Sequence, residues 1–106
     1  MPWVYTLDPN IVEYLYEIDQ TIKNRKYWTT YSYESTFALL DNAMNKIKAS
    51  YRKITGCTLE DTSRRLFDNV ETGGIETFIN FYNGFLFVRK LEQKLRWHQQ
   101  YGSFPR

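Results

Sequence analysis

Apolar residues recur along this chain at spacings of three and four, the interval at which one face of a helix comes round, and seldom alternate one by one. Ile11, Leu15, Ile18 and Ile22 make the first such stripe, with Val12 and Tyr16 off it. Asp8-Pro9-Asn10 precedes it in the order a helix start favours: a capping side chain, then a proline where the N–H has no partner in any case. The spacing predicts a first helix running to about Asn24.

A second stripe, Phe37, Leu40, Met44, Ile47, Tyr51 and Ile54, predicts a helix over 36–54 that stops at Gly56. Thr58-Leu59-Glu60-Asp61 then reads as a capping Thr with an acidic third neighbour, opening a short third helix that carries Leu59, Leu66, Phe67 and Val70 and ends at Gly73-Gly74. A fourth helix is predicted from Ile75 or Glu76 to Tyr101, closed by Gly102 and Pro105.

Two stretches depart from this regularity. Between Arg25 and Ser35 the run Tyr27-Trp28-Thr29-Thr30-Tyr31-Ser32-Tyr33 alternates large and small side chains of high β-propensity, which predicts an extended segment, a short hairpin over 26–34 or a loop that packs its rings. In helix four, Ile75, Phe78, Ile79, Phe81, Tyr82, Phe85 and Leu86 fill one broad side, whereas beyond Asn83-Gly84 the apolar set becomes Phe87, Val88, Leu91 and Leu95, nearly opposite. Three arrangements would produce this: a kink at Gly84, a straight helix that buries one side in its own core and the other against a partner, or a bundle that wraps both sides.

Four helical segments without an internal repeat predict an all-α protein, a compact bundle of about four helices. At 106 residues, 42% of them hydrophobic and 25% charged, the chain is the size of one domain, 1–106, and too apolar for a disordered tail. The single Cys, Cys57, cannot form an internal disulfide, no leader pattern opens the sequence, and no run approaches the roughly 18 apolar residues of a membrane span. A cytoplasmic protein that avoids the membrane is expected. With one His and one Cys far apart and no carboxylates at ligand spacing, neither a metal nor another cofactor is expected.

The net charge of +2 arrives in blocks, acidic near the first and third helix starts and basic near the ends of helices two and four. Lys46, Lys53, Arg89 and Arg96, with Lys48, Arg52, Lys90 and Lys94 around them, make a candidate phosphate-contacting set, since clustered cations gain affinity by releasing counterions from nucleic acid. The same placement is what helix dipoles favour, and in an up-and-down bundle the basic ends would lie beside acidic starts and be neutralised. Arg64 and Arg65 near the start of helix three keep a tri-helical DNA reader in view.

Catalytic equipment is sparse. His98 is the only imidazole and sits near a helix end, where a surface His is favoured by the dipole. Cys57 precedes a helix start, a setting that can activate a thiol but more often holds a small buried filler. Glu13 and Glu17, like Lys90 and Lys94, are one-turn pairs of solvated charges, and Gly73-Gly74 lacks the Lys-Ser/Thr of a phosphate-binding loop. An enzyme is not expected, and a thiol enzyme using Cys57 is the least favoured class.

What stands out is the 18% aromatic content, including nine Tyr. A buried Tyr hydroxyl needs a hydrogen-bond partner, whereas interfaces favour Tyr and Trp as large anchors with a polar end. Tyr14 and Tyr51 fall on helical stripes and are expected in the core with their hydroxyls at its rim. Tyr27, Trp28, Tyr31 and Tyr33 lie in the least regular segment, and Phe87, Leu91, Leu95 and Trp97 on the far half of helix four, so these eight are the candidate protein-binding residues. The expected function is a small non-enzymatic domain that modulates or inhibits a larger protein by occupying an aromatic-rich surface, as small virus- or phage-encoded proteins do. The alternative is a helical nucleic-acid binder, and homodimerisation through the same face of helix four, that of Leu91 and Leu95, is a further expectation.

Overall fold

The computed structural model describes residues 6–65 and 72–104, in which four helices and no strand are found. Helix α1 spans Pro9–Asn24, α2 Thr30–Thr55, α3 Leu59–Arg65 and α4 Thr72–Tyr101, so the all-α bundle expected from the spacing is the fold. Asp8 caps α1 by accepting from the N–H of Asn10 at 2.9 Å, with Pro9 in the first turn. Ile11, Leu15, Ile18 and Ile22 are the buried face of that helix, and Val12 and Tyr16 are exposed.

Neither strand nor hairpin occupies 26–34. Only residues 25–29 link α1 to α2, and α2 begins six residues earlier than its apolar stripe indicated. The cause is a capping box: the hydroxyl of Thr29 accepts from the Ser32 N–H at 3.1 Å, and the Ser32 hydroxyl accepts from the Thr29 N–H at 3.3 Å. Two orphan donors are thereby satisfied, which outweighs the β-propensity of the surrounding Tyr and Thr. The buried face of α2 is accordingly Ser32, Thr36, Leu40, Ala43, Ile47 and Tyr51; Phe37 and Met44 flank it and Ile54 is exposed. Gly56 ends α2 in the left-handed region at φ 77°, its N–H bonded to the Arg52 carbonyl at 2.8 Å.

Thr58 opens α3 as its sequence implies, accepting from the N–H of Asp61 at 3.0 Å. Tyr51 is wholly buried and its hydroxyl donates to Thr62 Oγ1 at 3.0 Å, tying α3 to α2 inside the core rather than at its rim. The expected contributions of Leu66, Phe67 and Val70 lie outside the described residues. Gly73-Gly74, read as the end of helix three, falls in the first turn of α4.

Helix α4 is continuous through Asn83-Gly84, and one line of buried residues runs its whole length, with Phe78 buried beside that line and Tyr82 and Phe85 packed against the core in the first half. Thr77, Phe81, Gly84, Val88, Leu91 and Leu95 are all buried, at spacings of four, three, four, three and four, and His98 extends the series half-buried. This is a single heptad seam. The apparent change of face arose because one of its members is a glycine, which carries no side chain to mark the stripe. Gly84 is a point of close approach: a Cβ there would lie 2.9 Å from Leu7 Cδ2 and 3.4 Å from Ile47 Cδ1.

The seams of α1, α2 and α4 close on one core, each fully buried Leu, Ile or Phe stabilising by about 1.5–3 kcal/mol. Helix α4 runs antiparallel to α2, since Tyr33 near the start of α2 meets His98 near the end of α4 while Tyr51 meets Phe78 and Phe81. Helix α1 lies beside the second half of α4, from Gly84, where Leu7 touches it, to the His98 end. The short α3 packs against α2 and α4 towards the other end. The result is 50 Å long and 26 × 21 Å across.

Candidate aromatic binding surface

The 25–29 linker, the first turns of α2 and the last turns of α4 converge at one end of the bundle and bring most of the sequence-nominated rings with them. Trp28 stacks on Tyr33, ring centroids 4.8 Å apart and planes 22° from parallel. His98 leans on both at 5.3 and 5.8 Å, and Phe104 covers its other side at 4.3 Å. Gly102, at φ 77°, turns the chain so that Phe104 can fold back.

Polar contacts fix the same cluster. The Tyr33 hydroxyl lies 2.6 Å from His98 Nδ1, which makes His98 a packed, hydrogen-bonded ring and corrects its reading as a surface histidine held by the helix dipole alone. Arg25 stands over the Trp28 ring at 5.3 Å while its Nη1 donates to Ser32 Oγ at 3.1 Å. One guanidinium therefore joins the linker to the capping box. Trp28 Nε1 is buried and has no hydrogen-bond partner among the described residues.

Around this locked interior other rings point outward. Tyr27 is 86% exposed and Tyr31 79% exposed, one on each side of Thr29. Trp97 and Tyr101, a turn apart on α4, are also exposed and lean together with centroids 4.4 Å apart. Of the eight nominated protein-binding residues, Tyr27, Tyr31 and Trp97 are exposed at this end, and Trp28 and Tyr33 are partly buried against His98 and the core. Leu91 and Leu95 do not belong: they are 2% and 0% exposed, because the heptad seam carries them into the core. Phe87 is exposed on the middle of α4, where it lines a cleft of about 460 Å3 with Val12 and Tyr16 of α1, apart from the aromatic end. Sequence reasoning missed Arg25, Tyr101 and Phe104. The Thr29-to-Ser32 box is the signal that could have drawn in Arg25, whereas Phe104 is brought back only by the turn at Gly102.

The cations named for nucleic acid do not form one face. Lys46 and Lys53 line a cleft between α1 and α2 with Asp8 and Tyr14. Arg89 stands over Phe85 on the α3 side, and Arg96 stands over Phe37 in a cleft that also holds Asp41 and Glu92. Neutralisation by adjacent helix starts holds for α2, where Lys48 pairs with Glu60 of α3 at 2.8 Å and its hydrogen bond holds that carboxyl below the ordinary 4.5. It does not hold for α4, whose basic end lies at the Tyr33 end of α2 and not beside an acidic helix start.

Chemically, the aromatic end offers stacking, cation–π and apolar contact. Cys57, half-buried in the turn after α2, and His98, beside the start of α2, are separated by nearly the length of that 26-residue helix, about 39 Å at 1.5 Å per residue, so they form no thiol–imidazole pair. Among the described residues no three His, Cys, Asp or Glu side chains converge as metal ligands, and no helix is long and apolar enough to cross a membrane. What the arrangement defines is a helical bundle with an exposed aromatic end. No protein family, curated protein or solved structure matches the chain.

Proposed function

We propose that this protein works by binding and not by catalysis, as a small domain that modulates a larger protein through its aromatic end. The observation that carries this reading is the exposure of Tyr27 and Tyr31 on a backbone pinned from beneath by Trp28, Tyr33, His98 and Phe104. Exposed Tyr and Trp with a neighbouring Arg is the composition of binding hot spots. Each Tyr has only two side-chain torsions to lose on docking, and the capping box already orders the backbone that carries them, so little conformational entropy opposes association.

The test uses the wild-type chain and Tyr27→Ala/Tyr31→Ala as parallel baits in extracts of the source cell. Both side chains are exposed, so the variant should keep the wild-type circular dichroism and a stability within about 0.5 kcal/mol. The expected result is a protein retained by the wild type and lost by the variant, with anisotropy of labelled single-stranded and duplex DNA unchanged at low salt. Equal retention by both baits would place the function elsewhere. Tight, steeply salt-dependent DNA binding that Lys46→Glu/Lys53→Glu abolishes would replace it with the nucleic-acid reading.

A further inference from the structure

Helix α4 carries a second seam, on the side away from its own core. Glu76, Ile79, Asn83, Leu86 and Lys90 follow at spacings of three, four, three and four, the interval that keeps residues on one helical face. All five are exposed, with Ile79 at 48% and Leu86 at 46%, and Phe87 adjoins them. Val12 and Tyr16 of α1 extend the same apolar area beyond Phe87. Exposed apolar side chains grouped on one helical face point to an association site more than scattered single residues do.

The polar members of the seam identify its occupant. Glu76 and Lys90 lie seven residues on either side of Asn83, two helical turns or about 10.5 Å along the axis. The charges are opposite and the distances equal. A second α4 laid antiparallel about a two-fold axis at Asn83 brings Glu76 of each chain to Lys90 of the other, twice. The same operation sets Ile79 of each against Leu86 of the other, since these stand four and three residues from Asn83, and places the two Asn83 amides side by side. An isologous contact requires a patch that complements itself under one rotation, and this one does so in charge and in apolar pairing together. A parallel pairing would instead stack Glu76 on Glu76 and Lys90 on Lys90. We propose that this face joins two copies of the chain as an antiparallel dimer through α4, with the paired Asn83 amides setting its register.

Sedimentation velocity of the full chain tests this. The wild type is expected to sediment as a dimer at micromolar concentration, and Ile79→Asp or Leu86→Asp as a helical monomer, because both positions lie outside the core. Glu76→Lys and Lys90→Glu should each weaken self-association about tenfold, two attractive pairs becoming repulsive. The doubly reversed chain, Glu76→Lys/Lys90→Glu, should return to within about threefold of wild type, because the rotation restores both pairs. A mixture of the two single variants should form a heterodimer more stable than either homodimer. A wild type that stays monomeric at about 100 µM overturns the proposal, since contact weaker than that has no standing as an assembly. Single reversals without effect, or a double reversal that fails to recover, would overturn it equally, because a structural role for either charge is not restored by exchanging them.

Discussion

Individual residues in this protein show how differently a hydroxyl behaves inside the core and at its edge. Tyr51 is 2% exposed and Thr62 9%, and the bond between them is the polar contact at the centre of the α2–α3 junction. Its two ends are not equivalent. Thr62 Oγ1 also donates to the Thr58 carbonyl at 3.0 Å, so after Tyr51→Phe it still has a partner for its proton and loses only an accepted bond. Thr62→Val instead leaves the Tyr51 O–H buried with no acceptor. The expected loss is about 1 kcal/mol for Tyr51→Phe and up to about 3 kcal/mol for Thr62→Val, with the double variant less destabilised than the sum of the two. Urea unfolding of the four proteins measures this; strict additivity would show that the hydroxyls do not interact. The sequence announced Tyr51 as a core position through its spacing, but its partner was out of view, because Thr62 belongs to no apolar stripe. Tyr33 and His98 were equally illegible as a pair, being 65 residues apart and joined only by the antiparallel course of α2 and α4.

At the scale of the element, the helices were legible where apolar residues mark their seams and obscure where small or polar residues take those places. Helix α1, with four branched aliphatics on one stripe, was readable from cap to end. Helix α2 hid its first six residues because Ser32 and Thr36 occupy its inward positions, so only the capping box distinguishes that start from a strand. Helix α4 misled through Gly84, and the error passed to the candidate site by grouping the buried Leu91 and Leu95 with the exposed Phe87 and Trp97. If Gly84 is a seam position and not a hinge, its tolerance to substitution should depend on volume. Gly84→Ala adds one methyl opposite the mobile end of Leu7 and gains about 1 kcal/mol of helix propensity, so its stability should lie within about 1 kcal/mol of wild type. Gly84→Val adds branches towards Ile47 as well and should cost at least 2 kcal/mol through overpacking. Thermal unfolding separates these. Equal and small costs would mean that α2 and α4 do not approach closely there.

The whole molecule is longer than its chain length requires, with a radius of gyration of 15.8 Å where about 13 Å is usual for a compact chain of this size. The 30 residues of α4 set that length, and neither α1, at 16 residues, nor α3, at seven, can cover all of it. Among the described residues, α1 lies against α4 from about Asn80 towards His98. Towards the start of α4, α3 packs against the α2–α4 pair, and the aromatic side chains of Phe78, Tyr82 and Phe85 stack along that stretch, at 5.0 and 5.3 Å. Amide protection follows the number of buried layers a helix must leave in order to open. Hydrogen exchange should accordingly be slowest at Leu40, Ala43, Val88, Leu91 and Leu95, which open only with the whole domain, and faster by local opening at Phe78 and Phe81 even though their side chains are as deeply buried. Uniform protection along α4 would show one cooperative unit from end to end, and the stacked rings would then be contributing as much to stability as a third helix does.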